Sequence, residues 1–163
     1  MPCGIYIHLP FCKSKCPYCA FTSSSGINDS IHRYAEAAAN ELSRRLGYSF
    51  SQTPDTVYIG GGTPSTVSPE SVEVILEPLN LSSVEEFTAE ANPESITDLW
   101  LDGMLRLGVN RLSIGVQSFD NRILANLGRI HNAQVAVNAF KMARKAGFKS
   151  LSVDIMFGVP GQT

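Results

Sequence analysis

Cys12, Cys16 and Cys19 place three thiols within eight residues, spaced C-x3-C-x2-C, on a segment that also carries Pro10 and Pro17. Two prolines so close together make this a loop and not a helix. Three thiolates on one loop can wrap a single soft-metal centre, because sulfur ligands suit iron–sulfur clusters, zinc or copper(I). Their number narrows the choice. Structural zinc takes four protein ligands in a closed shell, whereas a reactive centre keeps one position open. A four-iron cluster on three cysteines leaves one iron free for a substrate. Zinc would need Cys3 or His8 as a fourth ligand, and the usual zinc pattern separates two cysteine pairs by a dozen or more residues. A zinc-stabilised binding module is the alternative from another class. Ala20 after Cys19 rules out the c-type haem attachment pattern.

Further downstream lie other groups suited to chemistry. Gly60-Gly61-Gly62-Thr63 lets backbone approach a ligand closely. It lacks the spacing of a dinucleotide fingerprint and the Lys of a phosphate loop. Glu90, Gln117, Arg129 and Asp154 are each open to a structural reading as salt bridges or loop ties. Together, carboxylates, an amide and a cation around one mouth suit a zwitterionic ligand carrying a ribose. His8 reads as a structural hydrogen-bonder, His32 and His131 as peripheral, and Cys3 as a plain thiol.

The elements that must position these groups are five strand-like runs, 5–9, 56–60, 86–91, 111–117 and 151–156, alternating with helical patterns. That rhythm predicts parallel strands joined by right-handed crossovers. Helices are expected over 31–46, with Asp29 or Ser30 as N-cap and Gly47 as stop, from Ser68-Pro69-Glu70 onward, over 95–107, and over 132–146 after a turn near 121–127. Trp100, Leu99, Met104 and Leu105 read as core. The strands alternate instead of being apolar throughout: Ile5, Ile7 and Leu9 oppose Tyr6 and His8, and Leu151, Val153 and Ile155 oppose Ser152 and Asp154. A doubly covered parallel strand would be apolar on both faces. One face must therefore look onto something polar, as in the lumen of a curled, barrel-like sheet. Glu90, Gln117, Asp154, the glycine run and the thiol loop all fall at the C-terminal ends of strands, the rim where parallel β/α barrels keep their active sites.

At 163 residues the chain is one domain. A net charge of −2 offers no electrostatic footprint for nucleic acid. No apolar run approaches a membrane span, no signal peptide is visible, and only Cys3 lies outside the thiol cluster. A reducing cytoplasm, or an organelle matrix in a eukaryote, is the expected compartment.

The ordered motifs Tyr6-x-His8-x-Pro-Phe-Cys12-x3-Cys16-Pro-Tyr-Cys19, Gly60-Gly-Gly-Thr-Pro64, Glu90-Ala-Asn-Pro93, Gly115-Val-Gln117-Ser, Leu127-Gly-Arg129-x-His131 and Asp154-x3-Gly158-x-Pro160-Gly-Gln-Thr163 resemble the radical SAM proteins related to oxygen-independent coproporphyrinogen III oxidase. The resemblance runs from about residue 4 to the last residue. It implies an α/β fold, the partial (β/α)6 TIM-like barrel of that family, with a [4Fe–4S] cluster on Cys12, Cys16 and Cys19 and S-adenosylmethionine (SAM) chelating the open iron. An electron from the reduced cluster would then cleave SAM to methionine and a 5′-deoxyadenosyl radical, chemistry that belongs to the cofactors. By position, Tyr6, Gly61, Gly62, Thr63 and Glu90 resemble family SAM contacts. Gln117, Arg129 and Asp154 resemble further contacts, made in the decarboxylase to a second SAM. Two departures point to the sister branch of haem chaperones. Phe21 stands where the oxidase has a further cysteine, and the segment ahead of Cys12 is shorter. The resemblance thus implies haem or a porphyrinogen as ligand, an electron-donor protein and a haem-acceptor protein, with the oxidase as the alternative. Family members close six strands and add a C-terminal domain. Residues 1–163 are accordingly expected to be the N-terminal part of the core, truncated after about five strands, with an apolar edge prone to aggregation.

Overall fold

Each of the five long strands pairs in parallel with the next of the five, so no connection among them doubles back. In the computed structural model, which describes residues 3–26, 30–49 and 53–162, the main strands are β1 (Gly4–Leu9), β4 (Thr56–Gly61), β5 (Glu86–Ala91), β6 (Arg111–Gln117) and β7 (Ser150–Ile155). They form one five-stranded sheet in the order β1-β4-β5-β6-β7. Right-handed crossovers that always step the same way put α1 (Ile31–Ser49), α2 (Pro69–Leu76), α3 (Asp98–Arg106) and α5 (Ala133–Ala146) on one face, against the main core. The short α4 (Asn121–Asn126) instead buries Ile123 in a separate cluster with Leu127 and Val159.

Register keeps the two faces distinct. Tyr6 aligns with Tyr58, Tyr58 with Thr88, and Thr88 with Arg111. One step toward the rim, His8 aligns with Gly60, Glu90 with Ser113, and Ser113 with Ser152. The intervening rows, including Ile7, Ile59, Ala89, Leu112 and Ile114, are buried against the helices in one hydrophobic cluster. Side-chain parity is fixed by the pleat, so in-register parallel pairing carries the polar set of every strand onto the same open face.

Helix starts follow their capping chemistry. Ser68 Oγ accepts from Ser71 N (3.3 Å), Thr97 Oγ1 from Trp100 N (3.2 Å) and Asn132 Oδ1 from Val135 N (2.9 Å). Several boundaries differ from the sequence reading. α1 runs through Gly47 to Ser49; one helical glycine costs only about 1 kcal/mol, and Leu46 beside it is buried. Asp29, one of its two proposed caps, lies outside the described residues. α3 begins at Asp98, after a 3-10 turn over Pro93–Ser95. That phase buries Trp100, Leu101 and Met104 and leaves Leu99 83% exposed, so Leu99 is not core. Val153 and Ile155 lie on the apolar side of β7 but are 39% and 48% exposed, because among the described residues no helix follows that strand. No described helix is long and apolar enough to cross a membrane.

Candidate metal and ligand centre

The thiol loop is closed at its base by a ladder absent from the sequence reading. β2 (Phe11–Cys12) pairs in parallel with β3 (Ser24–Ser25), with Cys12 opposite Ser25. Ser24 N also donates to Pro10 O at 2.7 Å. Inside the loop, Cys19 N turns back onto Cys16 O (3.0 Å), and Lys15 Nζ donates to Phe21 O (3.1 Å). Two glycines let neighbouring backbone press on the loop. A Cβ on Gly62 would stand 2.6 Å from Phe11 O and 3.0 Å from Cys12 Sγ, and one on Gly128 (φ +68) would stand 2.7 Å from Pro17 Cδ. Those contacts seat the loop directly on the ends of β4 and α4.

Cys12, Cys16 and Cys19 line one cavity of about 340 Å³ at the C-terminal rim of the sheet. Gly61, Gly62, Thr63, Glu90, Gln117, Arg129 and Asp154 line it too. Tyr6 does not. Its ring stacks on Tyr58 (5.9 Å between centroids) and its hydroxyl meets His8 Nδ1 at 3.2 Å, beside a separate groove of about 400 Å³ along the free edge of β1. His8 Nε2 in turn holds Thr22 O at 2.8 Å, which makes it a structural tie for the far side of the thiol loop.

Both oxygens of Glu90 are held. Tyr58 Oη donates to Oε1 (2.7 Å) and Gly61 N to Oε2 (3.2 Å). Neither Arg111 nor Arg129 pairs with it. Arg111 donates to Thr88 Oγ1 (3.1 Å) and Ser152 Oγ (3.3 Å), with Glu86 at 3.9 Å. Burial, reinforced by the bond to Glu90, pushes the Tyr58 phenol far up, so it remains a donor to the carboxylate. Asp154 accepts from Ser113 Oγ at 2.9 Å, and Ser113 Oγ lies 3.0 Å from Ser152 Oγ. A hydroxyl chain therefore connects Arg111 on the floor to Asp154 at the rim.

Gln117 reaches the cavity by a different route from simple alternation. Between Ile114 and Gln117 the β6–β7 register shifts by one residue, and Gln117 takes φ 68, the one positive-φ non-glycine among the described residues. A bulge with a left-handed residue re-aims a side chain. Gly115 makes room for it, since a Cβ there would stand 3.0 Å from Gln117 Nε2.

Arg129 is 6% exposed and committed to protein partners. Its Nη2 donates to Asn92 Oδ1 and Gly115 O, both at 2.8 Å, and its Nη1 donates to Cys16 Sγ at 3.5 Å. Nε is buried without a partner, an orphaned donor beside the thiol loop. Tyr18 shares the spot. Desolvation holds its phenol up at about 12, with Arg129 pulling it down and Cys16 pushing it up. Thr63 Oγ1 donates to Cys12 Sγ at 3.6 Å. Donors thus face two of the three sulfurs. Among the described residues, no three His, Cys, Asp or Glu side chains converge as they would on one ion.

His131 is not peripheral. It is 4% exposed, with Nδ1 3.0 Å from Glu94 Oε2 and Nε2 3.1 Å from Val116 O. Burial pushes the Glu94 carboxyl up, but bonds from His131 and its own backbone, together with the Arg129 charge, outweigh that and hold it below the ordinary range. A depressed carboxylate stabilises the fold fully above its unfolded value and loses that contribution as pH falls through the folded one. Glu94→Gln is expected to cost roughly 1–3 kcal/mol at neutral pH, with the deficit shrinking in acid below the carboxylate range. Urea unfolding at both pH values checks this, and an equal deficit at each would contradict it.

The sequence over residues 6–163 matches the Radical SAM superfamily. The chain is 40% identical to the heme chaperone HemW of Escherichia coli, over 99% of its own length and 44% of that protein. With the heme chaperone HemW of Bacillus subtilis it shares 36%, over 97% of its length and 43% of that protein. It thus spans less than half of these relatives. Among solved structures, coproporphyrinogen III oxidase (HemN) from Escherichia coli superposes with a TM-score of 0.88 at 26% identity, covering 99% of this chain and 38% of that one.

Proposed function

Because the chain belongs to the radical SAM superfamily, we propose that Cys12, Cys16 and Cys19 hold a [4Fe–4S] cluster, that the cavity binds S-adenosylmethionine, and that the protein acts as a haem chaperone of the HemW type. The observation that carries this reading is the sharing of one cavity by the three thiols, the Gly61–Gly62 backbone, Glu90 and Asp154. The donor set fits the group. Thr63 and Arg129 donate to two sulfurs, and Gly62 leaves no side chain against Cys12. When bound and reduced, such a cluster supplies an electron to the sulfonium of SAM. The chain's own residues do the rest. Gly61 and Gly62 let a ligand's ammonium approach the strand end. Glu90, fixed by Tyr58 and Gly61, keeps lone pairs for it. Asp154, steadied by Ser113, accepts from ribose hydroxyls, and Gln117 offers its amide over Gly115.

Haem is the proposed cargo, with an electron-donor protein and a haem acceptor as partners. Phe21, 66% exposed on the cavity lining, separates this reading from a second one, radical decarboxylation of a porphyrinogen propionate, which the close overlay with the oxidase favours. Titrating the full-length protein with haem is expected to give a saturable complex. Binding no better than that of a generic apolar protein would remove the chaperone reading, and anaerobic turnover of coproporphyrinogen with SAM and reductant would install the second. Metal analysis after anaerobic purification should find about four irons and four sulfides per chain; a single zinc would overturn both.

A further inference from the structure

We propose that Asn92 is a positioning residue that couples the hydrogen-bond donors of two cysteine sulfurs and thereby sets the reduction potential of the centre they hold. The inference rests on the iron–sulfur reading of Cys12, Cys16 and Cys19.

Asn92 follows β5 directly, and its backbone is fixed on several sides. Its N–H donates to Ser65 Oγ at 3.0 Å, and its carbonyl accepts from Ser95 N and Ser95 Oγ, each at 3.0 Å. The side-chain amide is then used at both ends. Nδ2 donates to Thr63 Oγ1 at 3.0 Å, and Oδ1 accepts from Arg129 Nη2 at 2.8 Å. Chemistry leaves one orientation. A guanidinium only donates, so the amide oxygen must face Arg129 and the nitrogen must face Thr63. Because Asn92 fills an acceptor site on Thr63 Oγ1, the hydroxyl proton is directed outward, toward Cys12 Sγ at 3.6 Å. On the other side, Arg129 Nη1 reaches Cys16 Sγ at 3.5 Å. One amide therefore links Cys12, Thr63, Arg129 and Cys16 into a single chain of donors that ends on a sulfur at each side.

Two absent side chains show that the chain is accommodated by its neighbours. A Cβ on Gly115 would stand 2.8 Å from Asn92 Oδ1, and one on Gly128 would push Pro17 away from the turn that delivers Arg129. Hydrogen bonds to cluster sulfurs are among the levers that set reduction potential. The reduced centre carries more negative charge, so donors stabilise it over the oxidised form. Removing them makes the centre harder to reduce.

The test is a redox titration of the reconstituted full-length protein, followed by the electron paramagnetic resonance of the reduced cluster. Asn92→Ala is expected to shift the midpoint to a more negative potential with iron content retained. Thr63→Val, nearly isosteric, is expected to shift it in the same direction. The double variant should shift it by less than the sum, because the two changes break one chain. An unshifted midpoint in Thr63→Val, or additive shifts in the double variant, overturns the proposal; should Asn92→Ala fail to retain iron, Thr63→Val alone decides. Wild-type protein lacking iron and sulfide would instead overturn the cluster reading beneath it.

Discussion

Replacing Cys16 with alanine is expected to drop bound iron from about four per chain to background and to abolish the brown chromophore, while far-ultraviolet circular dichroism stays near that of the wild type. Three sulfurs are the whole protein ligand set in this reading, so losing one leaves two irons without a thiolate. The framework should survive, because its core is formed by β1, β4, β5 and β6 packed on the helices, and from the loop side only Phe11 contributes to it. Cys16 lies at the loop's middle, away from the β2–β3 ladder at its base. Retention of the full iron complement would show that Cys16 is not a ligand. Collapse of the dichroism signal would show that the loop clamps the fold.

Glu90→Ala is expected to weaken SAM binding by on the order of tenfold to a hundredfold, the loss that follows when a charged acceptor is removed, with iron content unchanged. Isothermal titration of the cluster-loaded protein reads the affinity, and iron analysis of the same samples reads the second arm. The carboxylate is bound on both oxygens by Tyr58 and Gly61, so it meets a ligand pre-oriented, and its removal also frees the Gly61 strand end that borders the cavity. Glu90→Gln keeps one acceptor oxygen and should recover part of the affinity. Unchanged affinity in the alanine variant would return Glu90 to a purely structural role as the partner of Tyr58.

Alternation made the five main strands legible, since parity alone assigns each residue to a face, and their boundaries fall within one residue of the expected ones. It also brought Glu90 and Asp154 to the cavity with the thiols. What it could not carry was anything set by non-local pairing. The two-residue strands β2 and β3 have no periodicity to detect and exist only because the loop returns to Pro10. Gln117 arrives through a bulge, which a strict period of two does not contain. Arg129 is open in sequence to both a structural and a ligand-contact reading, because its acceptors Asn92 and Gly115 lie on or just after other strands and are invisible to a local reading. For the same reason His131 read as peripheral, although its partner Glu94 lies far from it in sequence. Asn92 sat in a recognisable Glu-Ala-Asn-Pro string, yet nothing local signalled that both ends of its amide are engaged.

The ladder at the base of the thiol loop has a kinetic corollary. Cys12 belongs to the knot itself, opposite Ser25, while Cys16 and Cys19 lie on the span between its ends. Segments with few buried apolar contacts open at free energies well below that of global unfolding. Amide exchange should accordingly separate into two tiers, with Ser24 and its ladder neighbours slow and residues 13–23 fast whenever the metal is absent. Loading and stripping the centre would then be breathing motions of one short span, leaving the parallel sheet beneath it undisturbed.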